Sequence, residues 1–274
     1  MESAAVDKVE LTAKQEAKRM RKAQREGEKG ELKQMSKEDT KPVKTEDLGK
    51  IFEMALCMYL NIPFHGKFKY SLLKANETAG KLNNWEYPYS MTHTAEGQGQ
   101  YDFTGTDDEK IKLSAKTNKK GGKVSPQVLG QPTKKTFCKH FQLCETMTLV
   151  DIKSYILENV ASMLVKYYEF TFDADILYYN EHKNMILFIQ NKQPIPSFNN
   201  HDIHFSKDTI DTNSAKFWNE STSISINKKN IGEFQIHNHR NCIKFRWNFE
   251  NLLTVFKDNF EITQIYPAPT QAIS

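Results

Sequence analysis

Asp102, Ser114 and Lys116 are the residues of this chain whose types and spacing could do chemistry. They lie in GQYDFTGTDDEKIKLSAK, residues 99–116, which reads as two short strands joined by an acidic turn. Strand side chains alternate between faces with a period of two. The first strand carries Asp102 between Tyr101 and Phe103. The second sets Ile111, Leu113 and Ala115 against Lys112, Ser114 and Lys116. A turn that pairs Gly105 with Glu109 puts Asp102 opposite Lys112, with Ser114 and Lys116 on the same face. A carboxylate able to hold Mg²⁺, beside a lysine able to manage a nucleophile, suits cleavage of a phosphodiester. The bare pattern is a weak signal, since a solvated hairpin face carries the same residues.

Three neighbouring features strengthen it. Lys110 to Cys144 contains nine lysines and no acid, so a site here would sit in a positive field that attracts polyphosphate. Glu53 is a lone acid on an otherwise apolar-facing helix. Gly97, Gly99 and Gly105 permit close approach of another backbone.

The elements that must position these groups follow from periodicity. TEDLGKIFEMALCMYL starts a helix at Thr45, with two acids in its first turn. Leu48, Phe52, Ala55, Leu56 and Tyr59 form its buried stripe. Residues 68–82 read as a second, weaker helix, and Thr148–Tyr168 as a strongly amphipathic one. Ile176–Tyr179 and Met185–Gln190 pair as a hairpin around EHKN. Ser223–Ile226, Gly232–His237 and Cys242–Trp247 read as a meander, Phe249–Phe256 as a short helix. The stretch 117–144, with its Gly-Gly pair and prolines, is loop-like. Helices and strands mix without regular βα alternation, which predicts an α/β or α+β fold with a mixed central β-sheet flanked by helices.

Composition sets the frame. The 274 residues suffice for a real core, and 26% charged with 11% aromatic residues describes a globular chain. No run of about 18 apolar residues suggests a membrane span, and the N-terminus lacks the apolar core of a secretory signal. The expected location is therefore cytoplasmic, with the four cysteines (57, 138, 144, 242) reduced. Residues 1–44 hold twelve Lys/Arg against nine Asp/Glu and lack an apolar stripe. They read as a solvated or mobile arm before a domain over 45–266, with 267–274 a loose tail. KRMRKAQR in that arm could touch phosphate or serve nuclear import.

The order of parts resembles the PD-(D/E)xK nuclease superfamily, and type II restriction endonucleases within it. A helix embeds Gly49-x-x-x-Glu53, a strand bears Asp102, and a second strand ends in x-x-Lys116. LSAKTNKKGGKVSPQVLGQP and GEFQIHNHRNCIKFRW are also similar to restriction-enzyme sequence. Two positions depart from the pattern: Tyr101 stands where proline is usual, and Ser114 where the second acid is usual. The resemblance implies a restriction-endonuclease-like core over roughly 45–250, acting on double-stranded DNA as a homodimer. It implies Mg²⁺ held by Asp102 and the Ala115 carbonyl, with Lys116 orienting the attacking water or offsetting charge on phosphorus. Because serine removes a negative charge, a further acid is expected, from Glu53 or else from Asp107 or Asp108 in the turn.

Two stretches are candidates for the DNA itself. Lys119, Lys120, Lys123, Lys134 and Lys135 could neutralise phosphates, and Gln127 or Gln131 could bond a base edge; a solvated basic loop reads the same. In the second hairpin a four-residue turn sets Gln235 opposite Lys244, Glu233 opposite Arg246 and His237 opposite Cys242. Phe234, Ile236, Ile243, Phe245 and Trp247 then take the other face. This is either a half-buried hairpin with cross-strand charge pairs or a DNA-facing ribbon using Gln235, His237, Arg240, Lys244 and Arg246. Cys138-x-His140-x₃-Cys144, with Cys242 or His237, matches no common zinc module and reads as a buried thiol and a surface imidazole. His237-Asn238-His239 lacks the context of an HNH nuclease. Trp85, Tyr87 and Tyr89 could stack on bases or form a satellite apolar cluster. The rival functions are a nucleic-acid-binding protein without catalysis, an adaptor for an acidic partner, and an RNA nuclease.

Overall fold

Two apolar stripes decide how the chain is layered. The first belongs to helix α1 (Thr45–Leu60), whose Leu48, Phe52, Ala55 and Leu56 are buried together with Leu113, Leu177 and Tyr179. The second belongs to helix α4 (Leu149–Phe172), whose Ile152, Ile156, Val160, Met163, Leu164, Tyr167 and Tyr168 are buried against a different set. The computed structural model describes residues 45–95, 101–119, 123–124, 132–192, 194–237, 239 and 242–267. The arm over 1–44, most of the tail, Gly97, Gly99, Lys120, Gln127, Gln131 and Arg240 lie outside the described residues.

A six-stranded sheet separates the two stripes. Its order is β1 (Met91–His93), β2 (Phe103–Gly105), β3 (Lys112–Asn118), β5 (Asp175–Asn180), β6 (Met185–Asn191), β11 (Phe260–Tyr266). β3 and β5 run parallel, and the other pairs antiparallel, so the sheet is mixed, as expected. Directly paired residues share a face. Leu113, Ala115, Leu177 and Tyr179 therefore point toward α1, while Ser114, Ile176, Lys116 and Tyr178 point toward α4.

The far side of α4 meets a second, all-antiparallel sheet: β4 (Lys123–Val124), β10 (Ile243–Asn248), β9 (Lys229–Ile236), β8 (Ser221–Ile226) and β7 (His204–Phe205). The Tyr167 ring stacks on Phe245 with centroids 4.3 Å apart, and Trp247 Nε1 donates to Thr171 Oγ1 at 2.8 Å. Helices thus flank one face of the central sheet, and a helix backed by a sheet covers the other.

Several expectations are met at element level. α4 begins at a Thr148 cap, with Asp151 returning the bond to the cap backbone. It runs one turn past Tyr168, through a non-helical Asn159. The β8–β9–β10 meander and the hairpin of β9 and β10 have the expected register, Gln235 facing Lys244 and Glu233 facing Arg246. The second helix is shorter than residues 68–82: α2 is Leu72–Gly80, because Ser71 is extended and its Oγ accepts from Lys74 N at 3.2 Å. Phe68 instead packs edgewise against Phe64 and Tyr70. Residues 117–144 are not all loop. They hold β4 and helix α3 (Lys134–Phe141), which Thr133 caps and whose Phe137, Cys138 and Phe141 are buried. No helix among the described residues is long and apolar enough to cross a membrane.

Candidate active site and nucleic-acid face

The β2–β3 hairpin aligns two residues away from the expected register. Phe103 faces Leu113 and Thr104 faces Lys112, so Asp102 falls beside Ser114 rather than Lys112. The turn is wider than Gly105–Glu109: Gly105 N donates to the Ile111 carbonyl at 2.8 Å, and Ile111 N to Asp108 at 3.0 Å. A shift of two keeps every side chain on its expected face.

Asp102 Oδ2 accepts from Ser114 Oγ at 2.8 Å and from Ala115 N at 2.8 Å. Ser114 is fully buried. Oδ1 of Asp102 takes no hydrogen bond from the described residues, and Lys116, two positions along the same face, makes none with its ammonium either. Lys112 is engaged elsewhere: its Nζ reaches Tyr101 OH at 2.8 Å and Asp173 Oδ2 at 3.1 Å. Those contacts, the Tyr101 hydroxyl first, raise its pKa.

The structure does not bring Glu53 to this group. Its helix packs on the opposite face of the sheet, because the apolar stripe that flanks Glu53 must meet Leu113, Leu177 and Tyr179. The Glu53 carboxylate is held by Lys50 Nζ at 2.6 Å and lies 3.3 Å from His93 Nε2. His93 is paired with Phe103 and accepts at Nδ1 from His65 N at 2.9 Å. That bond leaves the ring proton on Nε2, aimed at Glu53. Asp107 and Asp108 are exposed in the turn; Asp108 Oδ1 caps Lys110 N at 2.9 Å.

A second carboxylate on the face of Lys116, besides Asp102, is one that sequence reasoning missed. Glu250 leads helix α5 (Phe249–Val255) and accepts from Asn180 Nδ2 at 2.6 Å. It also accepts from the Lys183 ammonium. Tyr178 OH, 3.1 Å from Asn118 Nδ2, completes the cluster, and burial pushes the Tyr178 phenol up to about 12. Tyr178 is the direct partner of Lys116 in the parallel register. The available signal was the period of two in Lys116/Asn118 and Tyr178/Asn180, two polar pairs at the carboxyl ends of adjacent parallel strands, where ligands collect in open sheets.

Of the expected DNA contacts, several are spoken for within the fold. Lys123 Nζ and Arg246 Nη2 reach Glu233 at 2.5 and 3.1 Å, and Gln235 Nε2 donates to it at 3.2 Å. Burial alone would raise the Glu233 pKa, but these groups, Lys123 foremost, hold it below the usual carboxylate range. Lys134 donates to the Met147 carbonyl at 2.6 Å. Lys135 lies 3.7 Å from Glu145, both exposed. Lys119 is part-buried at the end of β3, and Lys244 lies half-buried on the outer face of β10. His237 lies 3.0 Å from Glu220.

Two smaller readings resolve. Trp85 and Tyr87 join the core beneath α1 rather than a satellite cluster, Trp85 stacking on Tyr87 at 5.3 Å and meeting Phe188 at 5.6 Å, while Tyr89 is exposed. Cys138 is buried, as expected, and all four cysteines are free thiols. His140, expected at the surface, is wedged between Phe141 and Phe170, and burial lowers its pKa.

The chain is 45% identical over 225 residues to the type II restriction enzyme CviAII of Paramecium bursaria Chlorella virus 1. The alignment covers 80% of this chain and 63% of that protein, so the chain spans somewhat less than two thirds of its relative's length. No family model matches the chain, and no solved structure matches it.

Proposed function

We propose that this chain is a type II restriction endonuclease that hydrolyses phosphodiester bonds of double-stranded DNA at a short specific sequence, with Asp102, Ser114 and Lys116 as its catalytic group. The observation that carries this reading is the Asp102 carboxylate bonded across a hairpin to Ser114, with Lys116 along the same face and unpaired among the described residues. An aligned stretch covering 80% of a 274-residue chain contains residues 102–116 wherever it begins. The site thus lies within the region of likeness to a restriction enzyme.

The residues fit a weakly held Mg²⁺. One carboxylate with a free oxygen suffices for an ion that keeps several waters and takes its remaining ligands from substrate phosphate. Asp102 Oδ1 and the Ala115 carbonyl would hold it; Mg²⁺ there supplies positive charge to the scissile phosphate and a lowered pKa to water. Ser114 and the Ala115 amide fix the Asp102 carboxylate in one orientation, leaving Oδ1 outward. Lys116 stabilises the negative charge that builds on the phosphoryl oxygens. Lys244, half-buried on the outer face of β10, would meet the DNA backbone. A palindromic target would be read by a two-fold dimer.

The test is incubation of purified protein with supercoiled plasmid and Mg²⁺, followed by sequencing of fragment ends. Discrete ends at one short sequence are expected, abolished by chelator. Asp102→Asn and Lys116→Ala should each lose at least a thousandfold in cleavage while retaining binding in a gel-shift assay. Full cleavage by either variant removes this site from the reaction. Salt-dependent binding with no cleavage under any divalent ion would favour a binding protein instead, the reading that a neutral Ser114 supports.

A further inference from the structure

At the open end of the second sheet, away from Asp102, two imidazoles and a carboxylate converge. We infer that Glu220, His237 and His239 form a binding site for a zinc-class divalent cation, one that ties the β9–β10 turn to the start of β8. Their ligand atoms all lie within 4.8 Å of one another. His237 Nδ1 is 3.0 Å from Glu220 Oε2, and His239 Nδ1 is 3.7 Å from Glu220 Oε1. Zn²⁺ bonds of about 2.0–2.1 Å to nitrogen and oxygen, arranged tetrahedrally, set ligand atoms roughly 3.3 Å apart. The two imidazole–carboxylate distances already stand near that spacing.

The backbone holds them there. Ser221 pairs with Gln235, and Ile236 N donates to the Glu220 carbonyl at 2.8 Å. Glu220 is thereby locked beside the residue that precedes His237. The ring centroids of His237 and His239 are 5.4 Å apart, so both imidazoles sit over one spot.

An ordinary ion pair explains this group less well than a cation does. His237 Nδ1 is buried and makes no hydrogen bond among the described residues, although the carboxylate oxygen is so near. Its lone pair or proton points beside that oxygen rather than at it. A cation lying off the line between the two atoms engages both. The buried Lys153 donates from Nζ to the Asn219 carbonyl at 2.5 Å, which fixes the backbone just before Glu220. Imidazole nitrogen with a single carboxylate selects zinc-class ions over Mg²⁺. Three protein ligands leave one position for water or another group.

The test uses untagged, chelator-stripped whole chain titrated with Co²⁺ in excess Mg²⁺. One equivalent should bind, with the visible bands of tetrahedral Co²⁺, and Zn²⁺ should displace it. Glu220→Gln and His239→Ala should each weaken uptake at least tenfold, while Asp102→Asn should leave it unchanged. His239 is 65% exposed at its side chain, so its replacement does not threaten folding. Absence of saturable uptake by the native chain overturns the inference. So does uptake that survives both variants, or that is lost only in Asp102→Asn. None of these outcomes depends on DNA cleavage.

Discussion

Ser114 carries more of the site than its neutral side chain suggests. It is wholly buried beside Asp102, and its hydroxyl steadies the Asp102 carboxylate. Ser114→Ala should leave Asp102 with the Ala115 amide alone. The expected stability cost is about 1 kcal/mol, typical of one internal hydrogen bond, with a larger fractional loss in cleavage, measured by thermal unfolding beside plasmid nicking. An equal loss in both would reduce Ser114 to a packing residue. Glu233 gives a prediction in pH. Its folded-state pKa is depressed, burial being outweighed by Lys123, Gln235 and Arg246. The stabilisation from its partners is therefore present above the unfolded carboxylate pKa and lost as pH falls through the lower folded value. Glu233→Gln should cost on the order of 1 kcal/mol at pH 7, and the gap from native protein should close as pH falls below the usual carboxylate range. A gap that persists in acid would show that the lost contacts are not ionic. At this scale residue types and faces were legible, because a period of two settles which residues share a side. Glu250 was not, since only tertiary packing brings α5 over Asn180 and Tyr178.

Elements were legible where pattern and capping agreed, as in α1, α4 and the β8–β9–β10 meander. They were obscure where a short stretch depends on partners. β1 and β4, of three and two residues, have too few alternations to announce themselves and exist because β2 and β10 offer them a ladder. α3 was hidden by the glycines and prolines that precede it, although Thr133 marks its start. The two-residue offset in β2–β3 comes from its turn. The turn of Thr106–Lys110 is held locally by bonds from Lys110 N to Asp108 Oδ1 and from Ile111 N to the Asp108 carbonyl, and Gly105 makes it feasible. A Cβ added there would lie 2.4 Å from the Asp108 carbonyl oxygen and 3.0 Å from Ile111 Cβ. Gly105→Ala must therefore open the turn. The expected cost is about 1–3 kcal/mol, as for other overpacked sites. Asp102 should then lose its alignment with Ser114, so cleavage falls even at temperatures where the fold persists. Activity retained by a destabilised Gly105→Ala protein would show that the hairpin register does not matter to the site.

For the whole molecule the governing feature is α4, which is shared by both sheets. Its buried residues contact Ile176, Tyr178 and Ile189 of the central sheet and Phe234, Phe245 and Trp247 of the second within one continuous core. Neither sheet keeps an apolar layer of its own on that side, so the two should unfold together. Thr171 tests this. Its hydroxyl donates to the Tyr167 carbonyl at 2.7 Å and accepts from Trp247 Nε1 at 2.8 Å, and it is wholly buried. Thr171→Val keeps the volume and orphans the indole N–H, at a cost of about 1–3 kcal/mol. The orphaned group lies at the second sheet, but with a common core the loss should reach both. Native-state hydrogen exchange should show the slowest amides of β3 and β5 speeding up by the same factor as those of β9 and β10. Acceleration confined to β9 and β10 would mean that the second sheet opens alone. The β9–β10 hairpin would then be a separately unfolding unit, and the position of Asp102 and Lys116 would be indifferent to it.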